Sequence, residues 1–364
     1  MISSDTTGTI TLDKNYTYNP DTDSDLANLG IQISANKVIQ GNGNKITIDG
    51  KGISKLFTLS GAITLRDITF INGYSGDTAA ISQAAGSNLN VYDCTFIENI
   101  GLNGGALQAW GNLNLDGCTF INNTAINGGA IQTTSAPVYS ASIKNSIFIN
   151  NTAMTSGGDI YSPSLTLIVD NCNFTNSSAS EEAGSIWFGG YRETPPRLLA
   201  NVRITNVNIN NAYAYRNGAG IMVAGTGAVL DNINITDSIA EYGAGIYMRT
   251  LPKQVSNLQF INNHANSDGG AIYYWNDTAA GVSPITNASF INNTADNNGG
   301  AIYILASNGE MQDVLFIGNN ATNDGGAIFI KGSHWRVYNG TFNNNAAIDG
   351  RGGAIYLEDS IGLQ

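Results

Sequence analysis

A quartet of small residues closed by Ile or Leu returns eleven times along the 364-residue chain, and no other feature restricts the fold so tightly. It reads TAAI ending at Ile81, GGAL at Leu107, GGAI at Ile131, GGDI at Ile160 and AGSI at Ile186. It continues as GAGI at Ile221 and Ile246, then as GGAI at Ile272, Ile302, Ile328 and Ile355. The intervals average about 27 residues, the period of a solenoid in which each repeat makes one turn. A second landmark keeps the same beat: Phe70, Phe96, Phe120, Phe148, Phe174, Ile209, Ile235, Phe260, Phe290, Phe316 and Phe342. Asn usually follows within two to four residues, as in Phe-Ile-Asn-Asn at 120–123 and 290–293. Three residues before the landmark runs an almost unbroken column of Asn and Asp, among them Asp67, Asp93, Asn145, Asn206, Asn257 and Asn339.

Between landmarks the hydrophobic pattern alternates with period two, which predicts short strands. Leucine-rich repeats require a Leu-x-x-Leu-x-Leu frame that the chain lacks, and a propeller blade needs about 40 residues or more. The spacing therefore predicts an all-β fold, a right-handed single-stranded parallel β-helix of about 11–13 coils. Like residues stack at the strand spacing, Asn side chains bond one another along the columns, and Asn and Gly accept the left-handed backbone of the corners. Residues 1–45 lack the quartet and are expected to form an N-terminal cap over the first coil, with 46–364 as one continuous β-helix. The chain stops directly after a coil, at Gly362-Leu363-Gln364, so further coils or an anchor are expected downstream.

Composition narrows the function. With 28 acidic and 16 basic side chains the net charge is -12, which opposes nucleic-acid binding. No apolar run is long enough to span a membrane, and MISSDTTGTITL has neither the basic nor the apolar region of a signal peptide. His264 and His334 stand on different coils, so neither a His metal site nor a catalytic triad is expected. Asp21, Asp23 and Asp25 have the spacing that opens a calcium loop, but the Gly and closing Glu are missing; an exposed Asx turn is the favoured reading over a calcium site. Cys94, Cys118 and Cys172 occupy one inward position that Ser146, Val207 and Ala288 fill elsewhere, so free buried thiols are expected. Of eleven Asn-x-Ser/Thr triplets, those at Asn122, Asn150, Asn292 and Asn320 fall where a turn would expose them to glycosylation.

The candidate ligand-binding residues are aromatic. The residue after each quartet Ile or Leu points away from the core by strand alternation. That column contains Tyr161, Trp187, Tyr247, Tyr273, Tyr303, Phe329 and Tyr356, and a second row contains Trp110, Arg249, Trp275, Leu305 and Lys331. An exposed aromatic row suits the faces of sugars or a protein partner, whereas an aromatic ladder closed by its own stacking would serve stability alone. Between Gly189 and Arg197 an insertion by composition adds Tyr191 and Arg192 to the candidates. Arg192, Glu193 and Arg197 of the insertion, with Glu181 and Glu182 upstream, are the best cluster for an alternative, a polysaccharide lyase or glycoside hydrolase of the pectate-lyase-like β-helix type. A non-binding structural stalk is the third reading.

Gly-Gly-Ala-Ile/Leu alternating with Phe-x-x-Asn resembles the repeats of polymorphic outer-membrane proteins. The order of segments is similar to that of adhesin-like surface proteins of methanogenic archaea: Gly8-Thr-Ile-Thr-Leu-Asp-Lys-Asn-Tyr-Thr-Tyr18, then Ile46-Thr-Ile-Asp-Gly50, then Leu65-Arg-Asp-Ile-Thr-Phe-Ile-Asn72 and the Phe-Ile-Asn-Asn coils. The likeness runs from about residue 8 to 357 and is weakest over 180–250, where Phe gives way to Ile. It implies a secreted β-helix displayed on the cell surface, attached to glycans or proteins of a host or neighbouring cell. It brings no catalytic residues, no cofactor and no metal.

Overall fold

The computed structural model describes residues 8–43, 45–136, 138–163, 166–189, 201–225, 227–250, 252–275, 284–306 and 308–360. They divide into two compact units, Met1–Asn173 and Phe174–Gln364. Each unit is a parallel β-solenoid, and together they make about twelve turns. Among the described residues there is no α-helix, only the short 3-10 turn Ser24–Leu26.

Three strands per turn arise from the alternating pattern; the strand pairs among the described residues are parallel, and the register shifts within only a few of them, as between Ala125 and Asn127. In the first unit Phe96 pairs with Phe70 and with Phe120, which pairs with Phe148. Their rings stack inside the coil with centroids 5.1, 4.7 and 4.9 Å apart, and all four are fully buried. Phe260, Phe290, Phe316 and Phe342 repeat the stack in the second unit at 5.2, 4.7 and 4.9 Å. The stack begins early: Thr9–Thr11 pairs with Lys37–Gln40, Tyr16–Thr17 with Ile46–Ser54 and Ile31–Ile33 with Phe57–Leu59.

The corners follow from local chemistry. The Asn/Asp column before each Phe has left-handed backbone, with φ of 55° at Asp67, 50° at Asn145, 55° at Asn257 and 50° at Asn287. These side chains also bond along the column; the Asn287 amide donates to Asn257 Oδ1 at 2.6 Å and the Asn232 amide to Asn206 Oδ1 at 2.7 Å. In the GGAI quartet of residues 299–302 the two glycines serve different ends. Gly299 has a φ of 65°, whereas a Cβ on Gly300 would lie 2.2 Å from the carbonyl oxygen of Gly326 in the next coil. No side chain fits that gap.

The buried polar element is a ladder of amides three residues after the Phe. Asn99, Asn123 and Asn151 in the first unit, and Asn263, Asn293 and Asn319 in the second, are fully buried. Asn293 Oδ1 accepts from both the backbone N–H and the side-chain amide of Asn263, each at 3.0 Å. The Asn293 amide in turn donates to Phe260 O at 3.1 Å and to Asn319 Oδ1 at 3.0 Å. Asn122, Asn150 and Asn292, each immediately before a ladder Asn, are exposed, and Asn320 is half-buried.

Cys94, Cys118 and Cys172 are free and buried, as their shared inward position predicts. Burial pushes the Cys94 and Cys172 thiols up to about 12 and raises that of Cys118 as well. Since the thiolate is the reactive form, a thiol reagent at pH 8 is expected to leave all three untouched in the native chain and to titrate three in denaturant.

Substitution tests the two Asn columns. Asn293→Ala strands two buried donors of Asn263 and is expected to cost about 4 kcal/mol in chemical denaturation. Asn287→Gly, at an exposed corner where Gly accepts the same backbone, is expected to stay within about 0.5 kcal/mol of the parent.

Candidate binding flank of the second unit

The strands that follow the quartet form the second sheet, and each places one residue outward between two buried neighbours. In the strand Ile272–Trp275, Ile272 and Tyr274 are buried on the core side, and Tyr273 and Trp275 alternate with them. Register carries this down the second unit: Trp187 pairs with Met222, Met222 with Tyr247, Tyr247 with Tyr273, Tyr273 with Tyr303, Tyr303 with Phe329 and Phe329 with Tyr356.

The rings form a ladder. Tyr247, Tyr273, Tyr303 and Phe329 stack at 5.0, 4.9 and 4.9 Å with interplanar angles of 2°, 7° and 7°, and Tyr356 continues at 5.5 Å and 29°. Of the two arrangements weighed for this column, the rings adopt the closed ladder. Trp187 is 0%, Phe329 2% and Tyr247 6% exposed, and the ring faces are closed against one another. A sugar ring sandwiched between two aromatic faces would need roughly 7–8 Å, twice the contact distance, so only ring edges and hydroxyls face outward. Tyr161, in the first unit, pairs with Gln132. Trp275 is 37% exposed and heads a row that pairs it with Leu305, Leu305 with Lys331 and Lys331 with Glu358. Tyr191 and Arg192 lie outside the described residues, as do Glu193 and Arg197 of the alternative catalytic cluster.

A second wall escaped the sequence reading. The residue just before each quartet is folded beside the ladder, five positions ahead of the ring it accompanies. The indole of Trp187 donates to Glu182 Oε2 at 3.1 Å, and Glu182 Oε1 accepts from Asn217 at 2.9 Å. The ring of Tyr242 meets Tyr273 edge-on at 5.2 Å. Asp268, 8% exposed, accepts from the Asn297 amide and from the backbone and amide of Asn298 at 2.9–3.1 Å. Asp324 N–H donates to Asn298 Oδ1 at 3.1 Å and Arg351 N–H to Asp324 Oδ1 at 2.7 Å. The Arg351 guanidinium rests 4.7 Å from the Tyr356 ring centre. The signal was present in the sequence as a polar residue, most often Asn or Asp, before the first small residue of the quartet, in Asn298-Gly299 and Asp324-Gly325 for example.

Between the walls opens a cleft of about 620 Å³, bordered by Asn298, Asp324, Phe329, Asp349, Arg351 and Glu358. Asp324 pairs with Arg351 at 3.4 Å and Glu358 with Lys331 at 2.9 Å. Burial raises the Asp268 carboxyl against the hydrogen bonds from Asn298, Ser267 and Asn297. It also lifts the Tyr303 phenol to about 12 and that of Tyr273 further, with help from the neighbouring phenols and Asp268. The flank thus offers phenol and amide hydrogen bonds, ion-paired charges and aromatic edges. Among the described residues no group of three His, Cys, Asp or Glu side chains is arranged to hold a metal ion. Asp23 Oδ2 accepts from Asn19 N–H at 2.9 Å and Asn19 Oδ1 from Asp21 N–H at 3.1 Å, and Asp21 and Asp25 are exposed.

Five segments of the chain, 117–134, 257–274, 287–305, 313–331 and 339–358, match the Chlamydia polymorphic membrane protein repeat, about a quarter of its length. No curated protein sequence matches. Among solved structures, the crystal structure of PfbA, a surface adhesin of Streptococcus pneumoniae, is similar with a TM-score of 0.40 and 14% identity, over 96% of this chain and 85% of that one. A second structure of the Streptococcus pneumoniae surface protein and adhesin PfbA gives 0.34 and 11%, over 97% and 92%. Likeness at this level says nothing of function. No helix among the described residues is long and apolar enough to cross a membrane.

The buried phenols make the ladder sensitive to alkali. Because the folded pKa of Tyr303 and Tyr273 lies above the ordinary value of 10.0, their contribution to stability is complete below pH 10 and is lost as pH rises through the folded values, about 12 for Tyr303 and higher for Tyr273. Tyr273→Phe with Tyr303→Phe is therefore expected to shift alkaline unfolding, followed by circular dichroism, to higher pH than in the parent.

Proposed function

We propose that this chain is an adhesin-like module of a cell surface, a non-catalytic β-solenoid that attaches to glycans or proteins of a host or neighbouring cell. The observation that carries the reading is the repetition of one set of columns down the second unit. Each turn brings a polar residue, a ring edge and a second outward residue to the same flank. Sites repeated in one dimension at strand spacing favour weak contacts summed along a polymer or a crowded surface. The match to polymorphic membrane protein repeats supports surface display. The resemblance to adhesin-like proteins of methanogenic archaea supports an archaeal source and a secreted, anchored product.

Catalysis fits the flank less well. Glycoside cleavage needs a carboxylic acid and a carboxylate free to act on either side of the bond. Asp324 and Glu358 are each ion-paired, and both carboxylate oxygens of Glu182 are occupied by Trp187 and Asn217. The closed ring faces favour the stalk as the competing reading.

Binding to glycan arrays and to whole cells separates the two. The adhesin reading expects saturable binding that falls at least about tenfold in Trp275→Ala combined with Arg351→Ala, with unfolding unchanged because both side chains are on the surface. No binding to either, or binding indifferent to the double variant, leaves the flank without that role.

A further inference from the structure

We propose that a cavity at the start of the first unit binds a small organic cation, an ammonium group carried on an apolar stem. The cavity encloses about 580 Å³, a volume within the range of small-molecule sites. It lies between the 3-10 turn Ser24–Leu26 and the strands Tyr16–Thr17, Ile31–Ile33 and Ile46–Ser54. The flank described above belongs to the second unit and shares none of these residues.

Two kinds of wall meet there. Tyr16, Tyr18, Leu26, Leu29 and Leu56 supply aromatic and apolar surface, and Leu29 is left 55% exposed. Asp23, Asp25 and Asp49 supply carboxylates. Their charges are unequally answered. Asp49 has Lys51 at 3.6 Å and accepts from Lys51 N–H and the Asn72 amide. Lys55 also borders the cavity, but its ammonium donates to Thr78 Oγ1 at 2.8 Å, in the next coil, where Asp77 lies close by. None of the ion pairs among the described residues involves Asp23 or Asp25. Asp23 is held in place by Asn19 N–H and Thr22 Oγ1, at 2.9 and 3.1 Å.

The wall chemistry selects the ligand. Two unanswered carboxylates repel anions. A calcium ion would require six to eight oxygens, and of the triad Asp21, Asp23 and Asp25 only the last two border the cavity. Tyrosine faces and leucine side chains are poor ligands for a hydrated metal ion but attract an alkylammonium, through cation–π attraction and apolar contact. The Tyr16 hydroxyl donates to Asp13 Oδ1 at 2.9 Å, and burial raises its phenol, so that ring stays neutral.

Titration of the full chain with n-pentylamine, 1-pentanol and calcium chloride tests the assignment by chemical-shift changes in amide NMR spectra. The amine is expected to give saturable shifts confined to residues 16–32 and 48–56, and the alcohol to bind at least about tenfold more weakly. Asp25→Asn, at an exposed position that leaves the fold intact, is expected to weaken the amine about threefold and leave the alcohol unchanged. Tyr18→Leu keeps the apolar area and is expected to weaken only the amine. Equal binding of amine and alcohol, displacement of the amine by calcium, or no localised shift overturns the proposal.

Discussion

In-register stacking of one turn on the next is the constraint from which the other features follow. A parallel ladder fixes each residue opposite its counterpart one turn away, so any side chain the sequence repeats becomes a column. What the column does then depends on whether like groups attract. Phenyl rings gain from stacking, and amides pair donor to acceptor indefinitely, whereas repeated charges would repel at this spacing. The composition obeys that rule: 48 Asn residues outnumber all charged side chains together.

The same logic produces the flank of the second unit. A repeat that places Tyr, Tyr, Tyr, Phe and Tyr at one position from Tyr247 to Tyr356 cannot leave their faces open, because the nearest face is always the ring one turn away. What the stack leaves outside is ring edges and hydroxyls, together with the columns on either side. The polar wall is itself a ladder: Asp324 N–H bonds Asn298 Oδ1 and Arg351 N–H bonds Asp324 Oδ1. Rigid placement of those groups is a property of the fold, obtained without any dedicated loop.

Periodicity made the solenoid legible, and strand alternation assigned Phe120 and Cys118 inward and Tyr273 outward. The left-handed corners at Asn257 and Asn287 were legible too, since few other residues tolerate that backbone. Alternation gives the direction of a side chain but not what leans over it, which is why Trp187 was expected at the surface and is fully buried against Glu182. The polar wall was hidden for a related reason. Four residues separate Asp268 from Tyr273, and the corner at Gly269, with a φ of 69°, folds one beside the other.

Departures from the repeat carry as much physical meaning as the repeat. A buried amide ladder has to end somewhere, and a half-satisfied end is worse than an apolar one. In the first unit Asn151 is the last amide, and the column continues in sequence with Ser177 instead of Asn. The quartet next to it reads GGDI, and the Asn151 amide donates to Asp159 Oδ1 at 2.9 Å. In the second unit the ladder of amides begins at Asn263, whose Oδ1 accepts from Ser238 N–H at 3.1 Å, while Ser238 Oγ turns back to Thr236 O at the same distance. Ahead of Ser238 the column holds Ala212, which presents no side-chain donor at all. Asp159 and Ser238 are thus terminators. The stretch where the sequence pattern weakens is the stretch where the buried amide ladder is absent, and there the polar links between turns lie at the surface, as in Asn211 to Asn176 and Asn232 to Asn206.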